Sequence, residues 1–551
     1  MNSLYILVVW AIVWIFGYYV YARWVDRKVY KADPKRTTPA KMYMDGVDFM
    51  PAPKTVLFGF QLNSIAGAAP IIGPIVALQW GWLPALLWLA FGVFFIGWLH
   101  DYSSAMVSMR NDGDTFGAIS YKLISPRARG ILLTFIYFYL LLIAAAFGHV
   151  ITKGLVGNPS LPFPMLVVVG VALLVGQLIY KTKVDILWTT IIAIILIFAG
   201  IWAGNYIHIK TSYTVMLIAV LIFGYVSAIL PVWRFIQPYN YSSVYVVYFG
   251  IIAGVIGIII GHKPLTLPAF TGWSIKIGPL WPMLFVTIAC GCISGWHSLV
   301  SSTATSRQLA NELDARPVAG GAMFAEFTIA TIALIVCAVS FSGKAEYLQA
   351  LKNPVGIFTL GLGNAITTLG FPASFAKSVS GAMILILALT IVNLVFRFMK
   401  VATVELLGDK IGIAKNAHVA TIVALIFAFV LVKTGTWLYI WVLFGGANQL
   451  MAGLALLLVT LWLLSKGKNY KIAMIPMFFM YATTIAALIY ISQKLLRLLF
   501  TGKVTGTKII GNIIGWGAGI LLVIIALILA YDGYIAFKKY KAMKAEEVSE
   551  E

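Results

Sequence analysis

The chain has 551 residues, 61% of them hydrophobic and 11% charged, where a soluble domain carries roughly 25% charged residues. That balance excludes a large soluble core and reads as a polytopic membrane protein, a single integral membrane domain over 1–551. The net charge of +21 raises the question of nucleic acid, but the basic residues sit in short loops between apolar runs. That is the positive-inside pattern of a membrane protein, not a nucleic-acid-binding face.

Apolar runs long enough to span, about 20 residues, lie near 4–22, 55–78, 82–107, 131–151, 163–180, 186–204, 214–230, 243–261, 281–300, 320–342, 379–399, 418–433, 437–464, 472–491 and 509–536. The first has no basic n-region and no small-residue cleavage site, so it reads as a retained helix rather than a cleaved signal. A further run at 354–372 is rich in glycine and polar residues and reads as re-entrant or surface-lying. The expected fold is all-α with about 15–18 transmembrane helices. The longest polar stretches, 23–54 and 400–417, are too short to fold alone.

Loop charge orients the set. Loop 23–54 carries Arg23, Arg27, Lys28, Lys31, Lys35, Arg36, Lys41 and Lys54, so it belongs to the cytoplasmic side and the N-terminus to the outside. Counting forward places Arg110, Lys122, Arg127 and Arg129 inside, then Lys181 and Lys183, then Arg307 and Arg316. If 354–372 does not span, Lys400, Lys410 and Lys415, then Lys466, Lys468 and Lys471, and finally the tail 538–551 also fall inside. The exception is 492–508, where Lys494, Arg497, Lys503 and Lys508 fall outside. This stretch reads as an interfacial amphipathic helix or a missed crossing.

Two spans carry breaks. In 55–78, Gly67, Pro70, Gly73 and Pro74 stand in mid-span, and each proline removes a donor and clashes with the preceding turn. In 281–306, Gly291 and Gly295 bracket Ser294, and hydroxyls follow His297. Counting from Ser294, Ser298, Ser302 and Thr305 fall four, eight and eleven residues on, and His297 and Ser301 three and seven, all on one helical face. A polar stripe at membrane depth faces protein or a water-filled cavity. Helix packing through a GxxxG contact and a locally unwound helix lining a substrate path both account for it. A pair of interrupted helices in the two halves is the pattern of inverted-repeat transporters. A third interruption, Gly445–Gln449, splits or tilts 437–464; Asn448 and Gln449 read equally as interhelical partners or ligands.

Glu326 lies about 12 Å into its helix, where a charge costs about 2.5–3.5 kcal/mol on the insertion scale. It must be paired, protonated or functional. His100 and Asp101 read as a proton relay near the cytoplasmic mouth or as polar residues at a helix end, and His149 and Arg397 as snorkelling groups. The pairs Asp45/Asp48 and Asp112/Asp114 stand beside glycines and read as turn chemistry. Cys290, Cys292 and Cys337 sit inside apolar runs and read as small buried hydrophobes. No Walker loop, HExxH, dinucleotide fingerprint or catalytic triad context occurs. An enzyme is the least expected class, and no cofactor or metal is called for.

Several segments together resemble the carbon starvation protein A family: DGVDFMPAPKTVLFG (45–59), IAGAAPIIGPIVALQWGWLPALLW (65–88), RNDGDTFGAIS (110–120), FGYVSAILPVWRF (223–235), GCISGWHSLVSSTATSRQL (291–309) and GGAMFAE (320–326). The resemblance runs over most of 1–400. It implies an inner-membrane protein of LeuT-like inverted-repeat architecture with extra helices, linked to peptide uptake; some members of the family are described as pyruvate/proton symporters. Many members carry His-His after the LFG, where this chain has Phe60 and Gln61, and Arg-Asp-Tyr after the LPVW, where it has Gln237 to Tyr241. These departures shift any coupling role onto Asp101, His297 and Glu326.

The resulting expectation is a secondary-active importer of small peptides, driven by a proton or sodium gradient, with a proton-coupled carrier of pyruvate or a similar carboxylate as the alternative. A channel would need a filter-like repeat, and a sensor a soluble signalling domain. The substrate site is expected at Gly67, Ala68, Pro70, Gly73, Gly291, Ser294, Gly295, His297 and Ser298, and ion coupling at Asp101 and Glu326. Helix N-termini there would hold a carboxylate, and freed carbonyls an ammonium group or cation.

Overall fold

The structure, a computed structural model, describes residues 1–501 and 506–550; the side chains of 439, 440, 507, 508 and 547–550 lie outside the description. Lys503, the Lys508 side chain and the last residue of the expected tail therefore fall outside the described residues.

The chain is all-helical, with three isolated β-bridges and no sheet among the described residues. Among the described residues, eleven helices are long and apolar enough to cross a membrane, and the bent pair Lys54–Ile65 and Ala69–Ala77 makes a twelfth. This is fewer than the 15–18 expected. The difference lies in apolar segments that are short or interrupted: Tyr213–Ile229, Pro354–Thr367 and Ala417–Lys433 are shorter helices, and 280–300 is broken into pieces. Local chemistry starts many of these helices. Ser125 accepts from the Ala128 amide at 3.1 Å ahead of Pro126, and Asp185 from the Leu187 amide at 2.8 Å.

Burial separates centre from rim. The most apolar stretches of Ala373–Leu407 and Phe444–Ser465 are 100% buried and that of Glu312–Ala338 is 94% buried, against 22% for Leu4–Tyr30. The central helices are apolar on all sides because protein surrounds them. The N-terminal helix leans on the bundle through Trp10 and Trp14, whose indole N–H groups both donate to Thr328 Oγ1 at 2.9 and 3.0 Å.

The loops sort onto two faces. On one, the Ser3 amide donates to Lys263 O, the Trp82 amide to Pro268 O and Thr271 Oγ1 to Gln79 O. Helix Pro354–Thr367 lies on this face at both ends, with Tyr347 just ahead of it donating to Ile75 O and Thr368 just after it beside Gly261. It therefore does not cross. Two further expectations change. Residues 492–500 continue the helix Lys471–Phe500 instead of forming a separate interfacial helix. The split in 437–464 falls between Trp437–Trp441 and Phe444–Ser465, ahead of the Gly445–Gln449 stretch, which is helical.

The other face is cross-linked by charge. The Arg110 guanidinium donates to both Glu312 oxygens at 3.0 and 2.9 Å and to the carbonyls of Tyr30 and Lys31, while Lys468 Nζ reaches the Tyr30 carbonyl at 2.8 Å. Loop 45–49 is the expected turn, with Asp45 Oδ1 accepting from the amides of Val47, Asp48 and Phe49. Asp48 does more: it accepts from Arg397, which also donates to the carbonyls of Val47 and Leu230. Arg397 is 3% exposed, so it is a buried partner and not a snorkelling end group. Burial alone would raise the Asp48 carboxyl, but Arg397, with Arg307 and Lys400 behind it, holds it below the ordinary carboxylate value.

A lowered folded pKa contributes stability above the unfolded value of about 3.9, and that contribution is lost as pH falls through the folded value. Asp48→Asn is therefore expected to lower the melting temperature of the purified protein at neutral pH. The gap between wild type and variant should close below about pH 4, as followed by thermal unfolding in detergent. An unchanged gap at acid pH would exclude the ion pair as its source.

Candidate functional site

Two interrupted helices meet in the middle of the bundle. The first bends by 47° between Ile65 and Ala69. The unwound stretch is Ala66–Ala68, shorter than the expected 67–74, because Pro70 serves the first turn of the second half, where a missing amide costs nothing, and Gly73 lies inside that helix. The second breaks between Ala289–Cys292 and Gly295–Val300, where Ile293 (φ −155°, ψ 120°) and Ser294 (φ −144°, ψ 127°) are extended. Gly291 lies in the short helical turn before this break and Gly295 starts the helix after it. A Cβ on Gly73 would stand 2.7 Å from Thr287 O and 3.2 Å from Ile288 Cα, so the missing side chain lets the two interrupted helices touch.

The freed polar groups are held by neighbours. Asn448 Oδ1 accepts from Tyr139 OH at 2.6 Å, Ser294 Oγ at 3.0 Å and the Trp296 amide at 3.3 Å, and its Nδ2 donates to Cys290 Sγ at 3.2 Å. Gln449 Nε2 donates to Phe285 O. These two residues are thus interhelical partners. Trp296 Nε1 donates to Ser64 O at 2.7 Å and Thr390 Oγ1 to Asn63 O at 2.6 Å, tying the first interrupted helix to the second and to Ala373–Leu407. Nothing in the sequence separated Tyr139 or Thr390 from the other polar residues of apolar helices.

Beside the second break lies a chain of ionisable groups. His100 Nδ1 is 2.7 Å from Asp101 Oδ1, Asp101 Oδ2 is 3.2 Å from His297 Nδ1, and His297 Nε2 is 3.1 Å from Glu326 Oε2, every side chain at 0% exposure. The distances are those of ion pairs, but the carboxylate oxygens and His297 Nε2 make no aligned hydrogen bond. They are close polar contacts with room to realign. Ser298 Oγ sits 2.9 Å from His100 Nδ1 and Met323 Sδ 3.2 Å from His297 Nδ1. Each of the three contributing helices carries a π-helical turn close by, at Val93–Gly97, Ser301–Thr305 and Arg316–Gly320, a feature that re-aims side chains and recurs at functional sites. The rest of the stripe faces protein. Ser301 and Thr305 bond Gln61, and Ser302 O accepts from Ser108.

A cavity of about 510 Å³ opens between the breaks, walled by Ala68 and Gly73 from the first interrupted helix, Thr287 and Cys290 from the second, Phe147, Trp441 and Phe444 around them, and Lys494 at its rim. Of the expected site residues only Ala68 and Gly73 line it. Gly67, Pro70, Gly291, Ser294, Gly295, His297 and Ser298 do not, and Asp101 and Glu326 lie with His297 behind Cys290 and Ser294.

A family model described as carbon starvation protein CstA matches residues 2–356 and 340–487. The chain is 34% identical over 373 residues to the pyruvate/proton symporter BtsT of Escherichia coli, a match covering 65% of this chain and 51% of that protein. It is 30% identical over 554 residues to the peptide transporter CstA of Helicobacter pylori, covering 86% and 79%. It thus spans about half the length of the first relative and four-fifths of the second. Among solved structures, a manganese transporter of Eremococcus coleocola aligns at 13% identity and a TM-score of 0.47, over 90% of this chain and 99% of that one. MhsT in complex with L-phenylalanine aligns at 13% and 0.45, over 88% and 99%.

The close packing of the second break is testable. A Cβ on Gly295 would strike Met451 Cβ and come within 2.5 Å of Asn448 O, whereas one on Gly170 meets nothing within 4 Å. Gly295→Ala is expected to cost about 1–3 kcal/mol or more by overpacking. Gly170→Ala is expected to be neutral or to stabilise by up to about 1 kcal/mol. Thermal unfolding of both variants in the same detergent checks the contrast.

Proposed function

The chain belongs to the carbon starvation protein CstA family, and we propose on that premise that it is a secondary-active transporter importing small peptides across a bacterial plasma membrane, driven by an ion gradient. One observation carries the reading: a cavity lined by both interrupted helices reaches Cys290, whose Sγ lies 3.5 Å from Ser294 Oγ at the second break, and three residues further on His297 joins the buried His100–Asp101–His297–Glu326 chain. Substrate would enter between Ala68, Gly73 and Cys290, with Gly67, Pro70, Gly291, Ser294, Gly295 and Ser298 shaping the two breaks. His297 bridges two carboxylates, so a proton gained or lost at Glu326 changes the charge felt directly by His297 and, through it, by Asp101. His297 in turn sits three residues past the extended Ile293–Ser294 step. Protonation and rearrangement of the break would thus be coupled mechanically. The cavity serves one face, and the opposite face is held shut by Arg110–Glu312 and Arg397–Asp48. That asymmetry suits one state of an alternating-access cycle.

A second reading, a proton-coupled carrier of pyruvate or a similar small carboxylate, is favoured by a largely apolar cavity wall in which Lys494 is the one charged side chain among the described residues. Uptake of labelled dipeptide and labelled pyruvate into proteoliposomes, with pH and sodium gradients imposed separately, distinguishes the two.

The whole chain, 1–551, acts as one membrane unit in this reading. The N-terminus and the cavity lie outside, and 23–54 and the tail 538–551 lie in the cytoplasm. Support comes from loop charge and from the sorting of loops onto two faces. Cysteines placed at the exposed positions Lys41 and Ala545 should resist an impermeant thiol reagent applied to intact cells; labelling from outside would reverse the orientation.

Glu326→Gln mimics the neutral carboxyl and removes proton exchange. The variant is expected to lose accumulation driven by a pH gradient while keeping substrate counterflow, which needs no net proton movement. A well-folded variant with full pH-driven accumulation would remove Glu326 from the coupling path. Loss of folding would mark a structural ion pair, whose breaking costs about 3–5 kcal/mol.

A further inference from the structure

We propose that Lys494, with Arg497 one turn on, forms a carboxylate-receiving rim at the mouth of the cavity and selects substrates that carry a free carboxylate. The proposal rests on the transport reading and names the group that the site recognises. Its starting point is an anomaly of charge. Lys494 and Arg497 lie on the face where positive charge is disfavoured by the orientation rule. The helix Lys471–Phe500 runs unbroken through them, so they form no separate surface helix, and the spacing of three puts both on one side. That side is the cavity mouth. Lys494 is the one charged residue lining the 510 Å³ cavity, and an adjoining cleft of about 220 Å³ shares Lys494 and adds Arg497. No acidic side chain lines either space among the described residues.

Lys494 is also held in place. Its Nζ donates to the carbonyls of Ile277 at 2.9 Å and Lys276 at 3.2 Å, and Ile277 itself lines the cavity. An ammonium group has three donors, so one remains for a ligand. Beyond the rim the walls are apolar apart from Thr287 and Cys290, which strengthens the field of a single cation and leaves no second cation to compensate another negative charge deeper in. The chemistry that fits is one carboxylate followed by an apolar or neutral body. A small oxo acid supplies it; the C-terminus of a short peptide supplies the same carboxylate but brings an ammonium group that no acidic side chain of either space meets; a phosphate dianion does not fit.

The test uses the purified full chain with Val442→Cys, a cavity-lining position that is 46% exposed, against the parent chain, whose own cysteines are buried. Modification rates are measured with an anionic sulfonatoethyl and a cationic trimethylammonioethyl thiosulfonate. The anionic reagent is expected to react faster by on the order of tenfold, a preference lost in Lys494→Gln and kept in Lys494→Arg. Pyruvate or a dipeptide should slow the reaction and the same dipeptide as its C-terminal amide should not; which acid protects identifies the source of the carboxylate. In transport, Lys494→Gln should raise KM by on the order of tenfold with kcat little changed. The rim is overturned if the reagents react alike, if Lys494→Gln leaves their ratio and KM unchanged, or if the amide protects as well as the acid. Reagent preference and carboxylate protection in a protein that accumulates neither substrate would overturn the transport reading and leave the rim standing.

Discussion

Hydrocarbon offers no hydrogen bonds, and this protein interrupts two helices inside it. Each interruption releases amides and carbonyls that would cost several kcal/mol each if left bare. Much of the central packing follows from meeting that demand. Asn448 gathers the Ser294 hydroxyl, the Trp296 amide and the Tyr139 hydroxyl onto one oxygen. The Trp296 indole caps Ser64 O across the two breaks. Asn448 stands on Phe444–Ser465, and Thr390, which donates to Asn63 O, on Ala373–Leu407; the most apolar stretches of both helices are fully buried, because a partner for an opened backbone has to stand at the same depth, away from lipid.

Small residues make that proximity possible. A Cβ on Gly97 would strike Cys292 O, and one on Gly92 would come within 2.8 Å of Cys292 Sγ. The helix Trp82–Met109 therefore lies against the second break, and the same approach carries His100 and Asp101 to Ser298 and His297. Burying two carboxylates and two imidazoles is expensive, and their mutual attraction offsets the cost only where the geometry is close. The glycine contacts set that geometry. Backbone closeness and charge pairing are thus two parts of one arrangement, and a side chain added at Gly97 would push apart the groups that neutralise each other.

The two faces differ in how they close. One is bound by guanidinium–carboxylate pairs that reach from loop to helix, Arg110 to Glu312 and Arg397 to Asp48. The other is open at a cavity whose rim is held by a lysine on backbone carbonyls. Ion pairs reinforced by several carbonyl contacts hold more firmly than an ammonium group on two carbonyls, so the structure is closed by charge on one face and carries its cavity on the other.

Much of this was legible in the sequence. Hydropathy determined the all-helical, multi-spanning class, because a spanning helix must be continuously apolar. Mid-span glycine and proline marked both interrupted helices, because those residues alter backbone freedom wherever they fall. Glu326 stood out because a lone acid in an apolar run needs an explanation. Partners were not legible. Asp101 and His100 read as well as helix-end residues as a relay, and only the approach of Trp82–Met109 to the second break joined them to His297 and Glu326. Arg397 read as a snorkelling group until the fold set Asp48 beside it. The basic pair Lys494 and Arg497 read as part of an interfacial helix or of a missed crossing, whereas the continuous helix put it at a cavity mouth. Periodicity and charge act along the chain and can be read there. Which polar group meets which depends on how closely two distant backbones approach, and only the tertiary structure decided that.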